Sequence, residues 1–315
     1  MVPAGTFCPV FGGKEIRGTD MIGEIEQFTE YLQNVKQMSR NTVLSYRRDL
    51  LQMAAYLNER GITDAGRVTK TSLNSYILFL EKEGKAATTI SRMIASMKAF
   101  FYSEFSQGKI RRNPTETVHA PKIEKKTPVI LKEEEVSALL RQPGGNTPKE
   151  RRDRAMLELL YATGIRVSEL TGLRLSDVNL PIGFLTCHDG GRERTIPFSR
   201  AAKAVLETYV NQSRPILLKN RESEWLFVNC SGGQMSRQGF WKIIKYYGEK
   251  AGIQADITPH TLRHSFAAHL IGNGADMKAV QTMMGHSDLA TTQMYAAYME
   301  NSTVREVYQG AHPRR

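Results

Sequence analysis

The sequence predicts a mainly α-helical protein of two domains that carries one small β-hairpin. Over most of the chain, apolar residues recur at spacings of three and four, the repeat of a helix with one buried face. From Phe184 to Phe198 the pattern switches to alternation around the turn Asp189-Gly190-Gly191, which predicts a hairpin. Between Gly108 and Pro128, three prolines and a cluster of basic residues interrupt the helical pattern, as a linker does. The length of 315 residues suits two domains, and a hydrophobic content of 41% gives each an ordinary core.

Residues 1–19 lack the basic start and apolar run of an export signal and read as a flexible extension. Residues 20–107 read as four helices. Ile22, Ile25, Phe28, Tyr31 and Leu32 give the first its apolar face. Ser39 caps the second, with Val43, Leu44, Leu50, Leu51, Ala54, Tyr56 and Leu57 as core positions, and Gly61 closes it. Thr69 or Thr71 opens the third, with Leu73, Tyr76, Ile77 and Leu80, ended by Gly84. The fourth runs from Ala87 to Phe105, with Ile90, Ile94, Met97, Phe101 and Phe105 inward. Such helices with short connections make a small all-α domain. Residues 108–127 form the basic linker, with Arg111, Arg112, Lys122, Lys125 and Lys126.

The second domain, residues 128–299, is mixed. A capped amphipathic helix, ILKEEEVSALLRQ, precedes a longer apolar one that ends at Gly164. Arg166 then stands before a short helix with Val167, Leu170 and Leu173 inward, and Glu169 lies three residues on, placed to orient the guanidinium. After the hairpin come a helix from Ala201 to Leu218, a short apolar strand Trp225 to Val228, and a basic helix from Ser236 to Ala251. Thr258 caps the next helix and Pro259 opens it, so His260 and Arg263 share a face near its N-terminus. That helix stops at Gly272-Asn273-Gly274. Asp276 caps Met277 to Met284, Gly285 ends it, and a last helix capped at Ser287 or Asp288 carries Tyr295. Residues 300–315 form a tail whose Val304, Val307 and Tyr308 are too few to fold alone.

A net charge of +11 implies an anionic partner, with nucleic acid foremost. Cys8, Cys187 and Cys230 are far apart and form no CxxC pair, so no disulfide framework and no zinc site is expected. A reducing cytoplasm fits that usage. There is no apolar run of membrane-spanning length, so no membrane partner is expected.

The functional signal lies near the C-terminus. A helix N-terminus with an imidazole and a guanidinium on one face suits phosphate, because its free N–H groups point outward and arginine grips two oxygens at once. HTLRH (260–264), GHSDLATTQMY (285–295) and ATGIRVSELTGL (162–173) together resemble the conserved boxes of the tyrosine recombinases, of the phage-integrase and Xer type. SRNTVLSYRRDL and TTISRMIASMKAFF are similar to that family's core-binding domain, a SAM-like four-helix unit that clamps DNA.

The resemblance implies a site-specific DNA recombinase that cuts and rejoins through a 3′-phosphotyrosyl intermediate and a Holliday junction. Its role would be chromosome dimer resolution or movement of an element. Tyr295 would be the nucleophile, Arg166 and Arg263 the phosphate clamps, His260 the base and His286 a hydrogen-bond donor. Tyr298 and His264 are the rivals that the motif context passes over, and His269 is read as ordinary. Charge neutralised by fixed donors, with bond energy kept in the phosphotyrosine, implies no metal, no ATP and no other cofactor.

Arg40, Arg47, Arg48, Lys85, Arg92, Lys98, Arg111, Arg112, Arg192 and Arg237 are the expected DNA contacts. The partners implied are a double-stranded recombination site, further copies of the chain in a tetramer on two sites with the tail docked on a neighbour, and a second recombinase subunit or accessory protein. The expected location is the cytoplasm of a prokaryote, on the nucleoid. The family's hairpin carries a lysine that protonates the leaving oxygen, whereas none occurs here between Leu180 and Pro197. Arg192 is the nearest basic residue but a poor acid. Either another group such as His188 supplies the proton, or the turn only positions DNA. Two other readings remain open: type IB topoisomerase-like relaxation, and a non-catalytic sequence-specific DNA-binding protein.

Overall fold

A computed structural model of the chain describes residues 20–122, 128–189 and 192–285. The chain divides into two compact units, residues 1–125 and 126–315. The extension 1–19, linker residues Lys125 and Lys126, the side chain of Arg192, and His286, Tyr295 and the tail lie outside the described residues.

The first unit contains α1 (Met21–Asn34), α2 (Arg40–Asn58), α3 (Lys70–Lys82) and α4 (Ala87–Ser106). Local chemistry sets their starts: Ser39 accepts from the Thr42 amide, and Thr69 forms a reciprocal capping box with Ser72. Ile25, Phe28, Leu50, Leu57, Tyr76, Leu80, Ile94, Phe100 and Phe101 make one core. Phe28 meets Phe100 edge to face at 5.6 Å. Each such apolar side chain contributes about 1.5–3 kcal/mol on burial.

Three expected core residues instead face water. Ile22, Leu44 and Phe105 are exposed, because the buried stripes of their helices run through Met21 and Ile25, Val43 and Leu50, and Phe101 and Glu104. Leu44 shares the outer side of α2 with Arg40, Arg47 and Arg48. Spacing alone does not separate the centre of an apolar stripe from its rim.

The second unit begins with α5 (Glu133–Arg141), α6 (Pro148–Thr163) and α7 (Val167–Gly172). A three-stranded antiparallel sheet follows, ordered β1 (Val178–Asn179), β2 (Phe184–Asp189) and β3 (Arg192–Pro197). The hairpin of β2 and β3 is the expected one, and β1 joins it through Val178 opposite Leu185. In register across the hairpin, Cys187 faces Arg194 and His188 faces Glu193.

The helix expected from Ala201 to Leu218 is divided into α8 (Arg200–Thr208), a π-helical turn Tyr209–Ser213, and α9 (Arg214–Leu218). Pro215 has no amide to donate and its ring crowds the preceding turn, so a widened turn accommodates it. Trp225 to Val228 forms no strand. Arg214 donates to the carbonyls of Ser223, Trp225 and Leu226, and the Tyr209 hydroxyl also donates to Leu226, which leaves isolated bridges to Arg174 and Gln234. Then come α10 (Arg237–Lys250), α11 (Pro259–Gly272) and α12 (Met277–Met284). Among the described residues no helix is long and apolar enough to cross a membrane.

Candidate functional site

The site is built where three chain reversals meet. The first is the end of α6. Thr147 and Glu150 form a capping box at its start, and Gly164, with φ of 60°, ends it in the left-handed region. A Cβ at Gly164 would lie 2.2 Å from Cδ1 of Phe266 on α11, so only glycine fits. Arg166 then caps α7, and its amide donates to Glu169 Oε2 at 2.6 Å.

The second reversal is the start of α11. Thr258 and Thr261 cap each other and Pro259 is the first helical residue, as expected. His260 lies on the exposed side and Arg263, 5% exposed, points inward. Further along α11, Ser265 Oγ accepts from the Leu131 amide, and His269 bridges the Tyr161 hydroxyl and the Leu131 carbonyl at 2.9 Å each. His269 is therefore a fixed strut between α6, α11 and the segment before α5.

The third reversal is the end of α12. Asp276 accepts from the Ala279 amide at its start, and Gly285, φ 63°, ends it. The last carbonyls of a helix lack intrahelical partners and carry the negative end of its dipole. Three arginines from three elements meet three consecutive carbonyls there. Arg194 Nε donates to Met283 at 2.9 Å, Arg263 Nη2 to Met284, and Arg166 Nη2 to Gly285 at 2.7 Å. Arg263 Nη1 also donates to the carbonyl of Gly164. The boxes around Gly164 and Arg166, around Arg263, and around Gly285 are thus tied to one another.

Glu169 holds two of the cations. It accepts from Arg166 Nη1 at 3.2 Å and from Arg194 Nη1 and Nη2 at 2.8 Å each. Burial alone would raise the Glu169 pKa, but the bonds and charges of Arg194 and Arg166 outweigh it and hold the carboxyl below its ordinary range. On α11 a shift in the same direction favours the neutral form instead. Partial desolvation, then the charges of Arg263, Arg237 and Arg166, lower the His260 pKa and favour a neutral imidazole. The ring of His264 lies 6.2 Å from that of His260, and burial, then the neighbouring His260 and Arg263, push its pKa down to about 4. A neutral His260 among arginines can accept a proton, and the arginines can carry charge on phosphoryl oxygens.

Of the expected site residues, Arg166, Arg263 and His260 come together, and Arg237 is near enough for its charge to act on His260. His286 and Tyr295 lie outside the described residues. In the first unit, Arg40, Arg48, Lys85, Lys98, Arg111 and Arg112 are exposed. Arg47 is paired with Glu26, and Arg92 with Asp49, which is 3% exposed on its side chain. Arg92 thus neutralises a buried carboxylate of its own domain.

Arg194 was not expected, and it binds Glu169, Met283 and, by contact, Gly285. A Cβ at Gly285 would lie 2.9 Å from Arg194 Nη1. The signal for it is strand parity: Arg194 alternates with Ile196 toward the inside of β3, where a charge must find a partner.

The sequence matches the pattern of the phage integrase family over residues 130–301, and that of the phage integrase N-terminal SAM-like domain over residues 25–108. It is 42% identical over 292 residues to the tyrosine recombinase XerD of Halalkalibacterium halodurans, covering 92% of this chain and 97% of that one. Among solved structures it is similar to XerA recombinase, with a TM-score of 0.51 and 27% identity over 93% of this chain and 99% of that one. It is also similar in fold to a lambda integrase chain, from the structure of a lambda integrase tetramer bound to a Holliday junction, with a TM-score of 0.70 and 17% identity over 89% of this chain and 78% of that one.

Proposed function

The chain belongs to the phage integrase family and is a tyrosine-type site-specific recombinase, and from that premise we propose how its residues divide the work. Tyr295 attacks the scissile phosphorus, Arg166 and Arg263 hold the non-bridging oxygens, His260 takes the phenol proton, and His286 donates a hydrogen bond to the same phosphate. The product is a 3′-phosphotyrosine and a free 5′ hydroxyl. Because bond energy is kept in the ester, the 5′ hydroxyl of a second duplex can reverse the step and exchange strands.

The observation that carries this reading is the convergence of Arg166 and Arg263 on the end of α12, immediately before His286 in the chain. Unless phosphate or paired acceptors are at hand, gathering these cations is electrostatically costly. The partner is duplex DNA carrying a recombination site. Residues 20–107 act as the clamp, 108–127 as a basic strap, and 128–299 as the catalytic domain. The assembly is a homotetramer on two sites with residues 300–315 docked on a neighbour. Arg40, Arg48, Lys85, Lys98, Arg111, Arg112 and Arg237 are the phosphate contacts this account favours, ahead of the paired Arg47 and Arg92.

Incubation with fragmented host DNA in EDTA, followed by denaturation and recovery of covalently bound DNA, tests the reading. Wild type is expected to give adducts and Tyr295→Phe none. Salt-sensitive binding without adduct, on nicked substrates as well, would contradict it.

A further inference from the structure

Strand cleavage as proposed above needs a proton for the departing 5′ oxygen, and the described residues restrict where it can come from. The guanidinium groups of Arg166, Arg194 and Arg263 do not release protons near neutrality, and His260 is set to accept one. A cavity of about 220 Å³ opens beside Arg166, and its walls include Ser168, Glu169, Asp177, Cys187 and His188. Glu169 is ionised between its arginines, and burial beside Glu169 pushes the Cys187 thiol up to about 12. Among the residues lining that cavity, His188 carries the imidazole, whose two ring nitrogens can each give or take a proton.

Its setting is specific. His188 Nε2 lies 3.4 Å from Asp177 Oδ1, and Nδ1 lies 3.1 Å from Glu193 Oε1, its cross-strand neighbour. Both are ion-pair distances, and both attract the ring when it carries a proton on each nitrogen, because a carboxylate only accepts. The two partners differ in exposure: the Asp177 side chain is 12% exposed and that of Glu193 is 70%. Asp177, from the turn before β1, fixes the ring. Glu193, on the solvent side of β3, is the partner that an incoming phosphodiester backbone repels. Arg166 and Glu169 line the same cavity as the ring.

We propose that His188 is the general acid of this recombinase, giving its Nδ1 proton to the leaving 5′ oxygen while Asp177 retains Nε2–H. The proposal rests on the phosphotyrosine reading above. In the step, the Tyr295 oxygen forms a bond to phosphorus, the bond from phosphorus to O5′ breaks, and its electron pair takes the His188 proton. The phenol proton passes to His260. In rejoining, neutral Nδ1 recovers the proton from the attacking 5′ hydroxyl, so one side chain serves both directions. This assigns to a histidine on the hairpin strand a role that an arginine at its turn cannot fill.

The test compares nicked substrates whose scissile leaving atom is either 5′ oxygen or 5′ sulfur. A thiolate departs without a proton, since a thiol has a pKa of about 8.5. His188→Gln and His188→Ala are expected to slow adduct formation on the oxygen substrate by about 10²–10⁴-fold and to leave the sulfur substrate within about threefold of wild type, which also shows that the variants are folded. Equal loss on both substrates in both variants overturns the proposal, as does no loss on either. Wild type without adduct on either substrate overturns the phosphotyrosine reading itself, and His188 with it.

Discussion

Arg194 and Glu169 meet fork to fork, Nη1 and Nη2 each 2.8 Å from its own carboxylate oxygen, with side chains only 13% and 8% exposed. The pair locks the hairpin to the start of α7 and, through Met283, to the end of α12. Arg166 shares the same carboxylate, so the geometry of the proposed phosphate clamp depends on a residue assigned no contact with phosphate.

Removing one member leaves the other charged and buried. Arg194→Met is expected to destabilise the catalytic unit by about 3–5 kcal/mol, read from the urea midpoint. Arg194→Lys keeps the charge but loses the fork, so it is expected to recover part of the stability while cleavage stays well below wild type. Wild-type stability in Arg194→Met would show that the pair is not a lock.

Gly164 fixes the height of α11 against α6. In Gly164→Ala, left-handed backbone and the clash with Phe266 together are expected to cost about 2–4 kcal/mol. Because Arg263 donates to the Gly164 carbonyl, cleavage should fall even at temperatures where the variant remains folded. Full activity in a folded Gly164→Ala protein would contradict the packing described.

His264 on α11 sets a pH dependence. Burial lowers the folded pKa of His264 from 6.5 to about 4. Below pH 6.5 the unfolded chain therefore binds a proton that the folded chain refuses until near pH 4. Stability from this group is complete above pH 6.5 and declines as pH falls toward 4, by at most about 1.4 kcal/mol per pH unit and less where solvent screens the ring. His264→Gln is expected to flatten that slope in urea titrations across the window. An unchanged slope would show that His264 does not carry it.

Much of this architecture is legible in the chain. Caps at Ser39, Thr69, Thr258 and Asp276 and glycine stops at Gly164 and Gly285 are local chemistry, and they set helix ends where the structure has them. Arg166, His260 and Arg263 were legible as a group because motif order identifies them. What escaped depends on contacts far apart in sequence. Nothing near Trp225 says that Arg214 takes its carbonyl, nor does spacing reveal that Leu44 sits among arginines on an open face. Arg194 was half legible: parity marks it as inward, but its partner lies 25 residues away.

The central claim is that Arg166 and Arg263 act on the charge of the scissile phosphate. It is tested by measuring cleavage of nicked DNA with either a phosphodiester or a neutral methylphosphonate at the scissile position. Arg263→Ala and Arg166→Ala are expected to cleave the phosphodiester about 10²–10³-fold more slowly than wild type, and to approach wild-type rates on methylphosphonate, where the charge they neutralise is gone. Equal deficits on the two substrates would contradict the claim and confine both arginines to holding the end of α12.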